Sequence, residues 1–217
     1  MTRVKICGVR RLEDALAAAE AGADFIGLVF VPGRPRRLAI DEARTIVDGL
    51  QASADDAPEV VGLFADQPLD EVNDTIRACR LDRAQLCGAE SIDFCRKTEA
   101  GVIKVLHVAG GQSEETVIAD LAERVSAYGE AGHLVTLDRL VAGIPGGTGE
   151  RFDWTVAEEM SRRGHSFLLA GGLRPENVAE AIARVKPWGV DVSTGVETDG
   201  KKDPEKIRDF VRSARQL

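Results

Sequence analysis

Residues 134–154 read LVTLDRLVAGIPGGTGERFDW, and this stretch has the pattern of one strand, one loop and the start of one helix. The apolar run 134–137 predicts a buried strand, which ends at a carboxylate, Asp138. The glycine-rich segment 146–149 predicts a turn, and a helix is expected to begin near Trp154. A carboxyl group at the end of a strand can transfer a proton, while backbone N–H groups of a glycine-rich loop can bind an anion such as phosphate.

The same strand-and-helix unit recurs along the chain without an intervening linker. The predicted strands are the apolar segments 4–6, 25–30, 60–64, 84–86, 102–106, 134–137, 167–170 and 189–192. Apolar residues at helical spacing follow each strand, and helix starts are expected at Pro175 and at Pro204, the latter after Asp203 as N-cap. Eight such units predict an α/β fold, a single-domain parallel (βα)8 barrel over residues 1–217. An open doubly wound sheet is the alternative, but it usually has fewer units and a visible switch point.

The composition is that of a soluble globular protein, with 44% hydrophobic and 29% charged residues. The formal net charge of -8 argues against nucleic acid or an anionic membrane surface as a partner. No apolar run is long enough to span a bilayer and the first residues, MTRVKICGV, lack the pattern of a signal peptide, so a cytoplasmic location is expected. The cysteines form no CxxC pair and lie at no metal-ligand spacing from the histidines, so neither a zinc site nor a disulfide is expected.

In a parallel barrel the segments between each strand and the next helix lie on one rim, where catalytic groups gather. Cys7 follows the first predicted strand and Asp138 follows the sixth. A thiol can act as a general base where positive charge stabilises the thiolate, and a desolvated carboxyl group can act as a general acid. The structural alternatives are a small buried thiol for Cys7 and an ion pair with Arg139 for Asp138. Together on one rim, the two groups predict a proton-shuttling isomerase.

Three small-residue turns follow the sixth, seventh and eighth strands, where barrels of this kind bind phosphate. Their residues are Gly147, Thr148 and Gly149, then Gly171 and Gly172, and finally Ser193, Thr194 and Gly195. Three further polar residues at the rim are candidates for substrate binding. Arg36 can bind a carboxylate through two N–H groups, Asp191 lies in an apolar strand and needs a partner, and Gln85 offers neutral hydrogen bonds.

With these residues in place, the sequence resembles the phosphoribosylanthranilate isomerases of tryptophan biosynthesis. The matching blocks are spread in order over nearly the whole chain, which makes the resemblance specific. They are KICG at 5–8, AGADFIGLVF at 21–30, PR at 35–36, QL at 85–86, LD at 137–138, GGTG at 146–149 with FDW at 152–154, LAGGL at 169–173, PENV at 175–178 and GVDVSTGVE at 189–197.

The resemblance implies an Amadori rearrangement in which N-(5-phosphoribosyl)anthranilate becomes 1-(2-carboxyphenylamino)-1-deoxyribulose phosphate. It implies that Cys7 is the general base at ribose C2 and that Asp138 is the general acid at the ring oxygen. Arg36 would lie near the anthranilate carboxylate and Asp191 near the bridging amine, with the three small-residue turns around the phosphate. No metal and no cofactor is implied, because the substrate supplies its own imine as an electron sink.

This chain departs from the family pattern near the rim. Cys87 stands where the family usually has histidine after Gln-Leu, and Glu150 stands where many members have lysine. Arg10 and Arg174 replace small capping residues before the first and seventh helices, at a cost of about 1 kcal/mol each.

Other phosphosugar barrels remain alternatives to this reading. The related isomerase of histidine biosynthesis is expected to have aspartate where this chain has Cys7, and a metal-dependent epimerase needs histidines and carboxylates on the strands. A phosphate-binding barrel without activity need not keep Cys7 together with Asp138. The sequence leaves the oligomeric state open between a monomer and a homodimer, with a small phosphosugar as substrate.

Overall fold

A computed structural model of the chain describes residues 1–53, 56–108, 114–139 and 154–216. Eight parallel strands close into a barrel in sequence order, and β1 pairs with β8 as well as with β2. The strands are β1 (Arg3–Cys7), β2 (Phe25–Val29), β3 (Glu59–Phe64), β4 (Arg83–Leu86), β5 (Gly101–Val108), β6 (Leu134–Arg139), β7 (Leu168–Leu169) and β8 (Gly189–Val192). The closure confirms the predicted barrel and shows that the open-sheet alternative was wrong.

A helix follows each barrel strand and packs its apolar face on the outside of the sheet. The helices are α1 (Leu12–Glu20), α2 (Ile40–Ser53), α3 (Leu69–Cys79), α4 (Ile92–Lys97), α5 (Glu114–Glu130), α6 (Thr155–Arg162), α7 (Val178–Val185) and α8 (Pro204–Arg215). No helix in the described part of the chain is long and apolar enough to cross a membrane.

Side chains alternate between the barrel interior and the helix layer, because the side-chain period of a strand is two. The end of the interior away from the predicted site is filled by an apolar cluster of Phe25, Val61, Ile103 and Leu168. The larger core lies between the strands and the helices. The barrel is thus closed by packed side chains at one end, which leaves the other end for polar groups.

The start of α8 agrees with the prediction from the sequence, and the start of α7 does not. Asp203 caps α8 as predicted, since its Oδ1 accepts hydrogen bonds from the N–H groups of Glu205 and Lys206 at 3.0 and 3.3 Å. The prediction that helix seven begins at Pro175 was wrong, because α7 begins at Val178. The residues before it form a turn that is held by the side chain of Asn177.

A short hairpin after β8 was not predicted. It consists of β9 (Glu197–Thr198) and β10 (Lys201–Lys202), which pair antiparallel. Asp199 and Gly200 form its two-residue turn with φ of 51° and 73°. Asp-Gly is a typical sequence for such a turn, because both positions need positive φ. The hairpin places Lys202 directly opposite Glu197.

Candidate active site

Cys7 is the last residue of β1, and its thiol points into the mouth of the barrel. The residue is 7% exposed and clusters with Val29 and Leu63, which come from β2 and β3. Gly27 lies opposite Cys7 in the sheet, where a Cβ atom would be only 2.9 Å from Cys7 Sγ. Glycine at position 27 therefore makes the room that the thiol occupies.

Two residues earlier on the same face of β1, Lys5 is fully buried and pairs with Asp191 of β8. Lys5 Nζ lies 2.8 Å from Asp191 Oδ2, and the side chains are 0% and 7% exposed. Burial lowers the pKa of Lys5, but attraction to Asp191 and Cys7 outweighs this effect and raises the pKa overall. Lys5 therefore stays charged at neutral pH. The other oxygen, Asp191 Oδ1, is buried without a hydrogen-bond partner among the described residues, and so it can accept a hydrogen bond from a bound group.

The electrostatic surroundings of Cys7 contain opposing effects. Burial raises the pKa of the thiol above its usual value, since the thiolate loses its water. Lys5 has the largest effect in the opposite direction, Asp191 raises the pKa again, and Lys202 lowers it. The two ammonium groups offset part of the rise, and the pKa of the thiol stays above its usual value, so the thiolate that a general base requires forms more readily as the pH increases.

Asp138 occupies the next-to-last position of β6 and is partly buried. It is in register with His107 of β5, and Thr136, two residues earlier, is in register with Val105. Leu134 and Thr136 pair with Ile103 and Leu168 of the interior cluster, so alternation along β6 places Asp138 on the interior side as well.

Polar atoms without partners surround this space from several strands. Gln85 Oε1, Thr136 Oγ1 and His107 Nδ1 are buried and make no hydrogen bond to any residue that the structure describes. Gln85 Nε2 lies 3.6 Å from Cys87 Sγ. Buried polar atoms normally have a partner, so atoms of this kind in a barrel mouth are sites for water or for a polar ligand.

The turns after β7 and β8 are packed against each other. Gly171 and Gly172 have φ of 91° and 68°, a region that favours glycine. A Cβ atom at Gly195 would overlap the carbonyl oxygen of Leu173, so the two turns approach backbone to backbone. This brings two of the three predicted phosphate-binding turns together. The third, at Gly147, Thr148 and Gly149, lies outside the described residues.

Arg36 lies over Gly8, where a Cβ atom would be 2.6 Å from Arg36 Cδ. Its Nε and Nη2 donate hydrogen bonds of 2.9 and 2.7 Å to the two carboxylate oxygens of Glu197. Lys202 Nζ donates to Glu197 Oε1 at 2.9 Å and to the carbonyl oxygen of Ser193 at 2.8 Å. One network therefore links the loop after β2, the end of β8 and the β9–β10 hairpin.

The structure thus brings Cys7, Asp191 and Arg36 to the same rim as the turns after β7 and β8. Sequence reasoning missed the roles of Lys5, Glu197 and Lys202. A lysine two residues before Cys7 shares its side of the strand, and this spacing was a signal for Lys5. The Asp-Gly turn could have predicted the hairpin, but the partners across the network were not predictable from spacing.

The chain matches one known protein family over nearly its whole length. Residues 4–213 match the family model described as N-(5'phosphoribosyl)anthranilate (PRA) isomerase. The chain belongs to this isomerase family. A relative from Geobacter sp. (strain M21), named N-(5'-phosphoribosyl)anthranilate isomerase, is 46% identical, with 100% of both chains covered.

Solved structures of the family agree with the barrel over its full length. Monomers generated from the dimeric phosphoribosylanthranilate isomerase of Thermotoga maritima are similar with a TM-score of 0.81, at 36% identity and with 100% of both chains covered. A phosphoribosyl anthranilate isomerase in complex with reduced 1-(o-carboxyphenylamino)-1-deoxyribulose 5-phosphate is also similar, with a TM-score of 0.81, at 34% identity and with 100% of both chains covered.

The departure from the family pattern at Cys87 has a defined environment. Burial raises the pKa of the Cys87 thiol to about 12, so it is uncharged at neutral pH. His107 Nε2 lies 3.3 Å from the carbonyl oxygen of Cys87. An imidazole is therefore present beside this position, although it comes from β5 and not from the end of β4.

Proposed function

We propose that the chain converts N-(5'-phosphoribosyl)anthranilate to 1-(2-carboxyphenylamino)-1-deoxyribulose 5-phosphate by general acid–base catalysis, with Cys7 as base and Asp138 as acid. The observation that carries the proposal is the buried Cys7 thiol beside the Lys5 ammonium group, at the same end of the barrel as the interior position of Asp138. Membership of the isomerase family supports the same reaction, which is a step of tryptophan biosynthesis.

In the first step Asp138 gives its proton to the furanose ring oxygen as the bond from that oxygen to C1 breaks, which forms an iminium group. The Cys7 thiolate then removes the proton from C2, and the electron pair moves toward the iminium nitrogen. The resulting enolamine tautomerises to the ketone, so the product is an isomer of the substrate. Lys5 contributes by stabilising the thiolate electrostatically, since it stays charged beside Cys7.

Binding is assigned to groups around these two residues. The phosphate is placed at the backbone N–H groups of the adjoining turns 171–172 and 193–195, together with 147–149. The anthranilate carboxylate is assigned to Arg36, and the bridging amine to Asp191, whose Oδ1 has no hydrogen-bond partner within the described part of the chain. Gln85 offers a buried amide oxygen on the same side of the sheet.

The proposal extends to the setting in which the enzyme works. The substrate is a small phosphosugar, and the enzyme acts in the cytoplasm without a nucleic acid or membrane partner. The enzyme is proposed to be a monomer or a homodimer, and the Thermotoga maritima relative is described as dimeric.

The test is a fluorescence assay that follows the loss of phosphoribosylanthranilate. Cys7→Ser and Asp138→Asn are each expected to lose most of kcat with little change in KM, because each removes a proton transfer made in the transition state. Cys79→Ser is the matched control, since Cys79 is a buried thiol on α3 whose Sγ lies near the carbonyl oxygen of Ile40. Normal turnover by either site variant would remove the corresponding assignment.

A further inference from the structure

The network of Arg36, Glu197 and Lys202 is nearly enclosed. The Lys202 side chain is 2% exposed and that of Glu197 is 8% exposed, while Arg36 is 27% exposed. The exposed part of the network is therefore the guanidinium group, and the two inner groups are shielded from water. Charges in such a position interact more strongly than they do at the surface.

Glu197 engages Arg36 through the edge of the guanidinium group that carries Nε and Nη2. This is the same two-point geometry by which arginine binds a carboxylate ligand. Glu197 thus cancels the charge that the substrate carboxylate is proposed to recognise. An Arg36–Glu197 pair by itself would carry no net charge, and would be a poor site for an anion.

Lys202 restores that charge. Its ammonium group contacts Glu197 Oε1 at 2.9 Å, so two cations share one carboxylate and the network carries a net charge of +1. Burial raises the pKa of Glu197, but the hydrogen bonds from Arg36 and Lys202 outweigh this effect and lower the pKa overall. Glu197 is therefore ionised at neutral pH. Burial lowers the pKa of Lys202, and its hydrogen bond to the Glu197 carboxylate opposes that effect.

We propose that Lys202 is a positioning residue for substrate recognition: by neutralising Glu197, it leaves Arg36 with the positive charge that the substrate carboxylate requires. Glu197 holds the guanidinium group in place, and Lys202 removes the electrostatic cost of doing so. The hairpin turn at Asp199 and Gly200 serves this purpose by fixing Lys202 opposite Glu197. The inference rests on the proposed binding of the anthranilate carboxylate by Arg36.

The experiment compares two ligands that differ only in the carboxylate. They are reduced 1-(o-carboxyphenylamino)-1-deoxyribulose 5-phosphate and its phenylamino counterpart, and their Kd values are measured by calorimetry at pH 7.5. Lys202→Gln is expected to weaken binding of the carboxylated ligand about tenfold or more, the size typical of a lost charge interaction in a shielded site. The Kd of the phenylamino ligand is expected to change less than about twofold. Lys201→Gln is the matched control, since Lys201 is the preceding residue of the same strand and its side chain is exposed.

The double variant Glu197→Gln/Lys202→Gln provides the decisive arm. It removes one negative and one positive charge, so the network returns to +1, and the preference for the carboxylated ligand is expected to return with it. This variant also removes the carboxylate that loses its Lys202 contact, and so it tests the proposal should Lys202→Gln alone fold poorly.

Three results would overturn the inference. One is an unchanged ligand preference in Lys202→Gln, and another is an equal loss for both ligands, which would indicate a general structural role. The third is a parallel loss of affinity for inorganic phosphate, which would place the effect in the turn that Lys202 contacts through Ser193. A wild-type enzyme that binds both ligands equally would instead refute carboxylate recognition by Arg36, and so the proposed function of that residue as well.

Discussion

The buried pair of Lys5 and Asp191 allows a quantitative prediction for Lys5→Met. Methionine retains an unbranched apolar side chain of similar length but removes the ammonium group. Two unit charges 2.8 Å apart attract each other by about 6 kcal/mol at an effective dielectric constant of about 20. Part of this attraction offsets the loss of hydration of both charges, and breaking such a buried pair by removing one partner costs about 3–5 kcal/mol.

The upper end of that range is limited by protonation. A carboxyl group left without its cation can bind a proton, and at pH 7 this costs an ordinary aspartic acid about 4 kcal/mol. Lys5→Met is therefore expected to lower the free energy of unfolding by about 3–4 kcal/mol at pH 7. In a protein of this size the midpoint temperature should fall by about 6–16 °C.

Urea unfolding followed by circular dichroism measures the difference, with Lys201→Met as an exposed lysine control. The double variant Lys5→Met/Asp191→Asn removes both charges and should recover most of the lost stability, since no ion is left unpaired. Both the single and the double variant should have a low kcat, because both lack the Lys5 charge beside Cys7. A loss below about 1 kcal/mol in the single variant, or no recovery in the double variant, would refute the reasoning.

Three further predictions concern other parts of the barrel. Gly195→Ala should displace the Leu173 carbonyl, raise KM several-fold and cost about 1–3 kcal/mol of stability. Gly129→Ala is the control, because a Cβ atom there would lie in open space, and it should have none of these effects. An unchanged KM in Gly195→Ala would contradict the packing of the two turns. Because burial raises the pKa of Cys7 and the thiolate is the active form, kcat/KM should still be rising above pH of about 8.5; a plateau already reached at pH 7 would contradict this. Asp203→Ala should cost about 1 kcal/mol in urea unfolding at pH 7 without affecting kcat. Hydrogen bonds from a threonine hydroxyl and two helix N–H groups hold the Asp203 pKa below its usual value, so this difference should vanish as the pH falls through that pKa, and a pH-independent difference would exclude the cap as its cause.

The strands were predictable because a parallel barrel buries both faces of each strand, so the apolar runs stand out in the sequence. The predicted segment 189–192 coincides with β8, and the other strands differ mainly at their ends. Helix starts were less predictable. Pro175 fits a first turn by its fixed φ, but hydrogen bonds of Asn177 to Arg174 N and Gly172 O hold the segment before Val178 in a turn.

The candidate site was predictable in its location but not in its partners. Cys7 and Asp138 could be placed at strand ends because topology assigns those ends to one rim. The partner of Asp191 is 186 residues away in Lys5, and the partner of Arg36 is 161 residues away in Glu197. Such pairs form when the barrel closes and when the two-strand hairpin folds, so they cannot be predicted from the spacing of residues in the sequence. The roles of the site residues, and the extent of the single domain over residues 1–217, stay predictions.

The distribution of charge explains how an acidic protein can bind an acidic substrate. The chain carries a formal charge of -8, which would repel a molecule with a phosphate and a carboxylate. Screening limits that repulsion to about 8 Å at physiological ionic strength, so the groups nearest the site decide the outcome. Lys5, Arg36 and Lys202 pair with the carboxylates of Asp191 and Glu197, and these five side chains together carry a net positive charge in a shielded region. The same positive charge favours a bound anion and offsets part of the cost of a buried thiolate, and each of these two carboxylates is paired with a lysine.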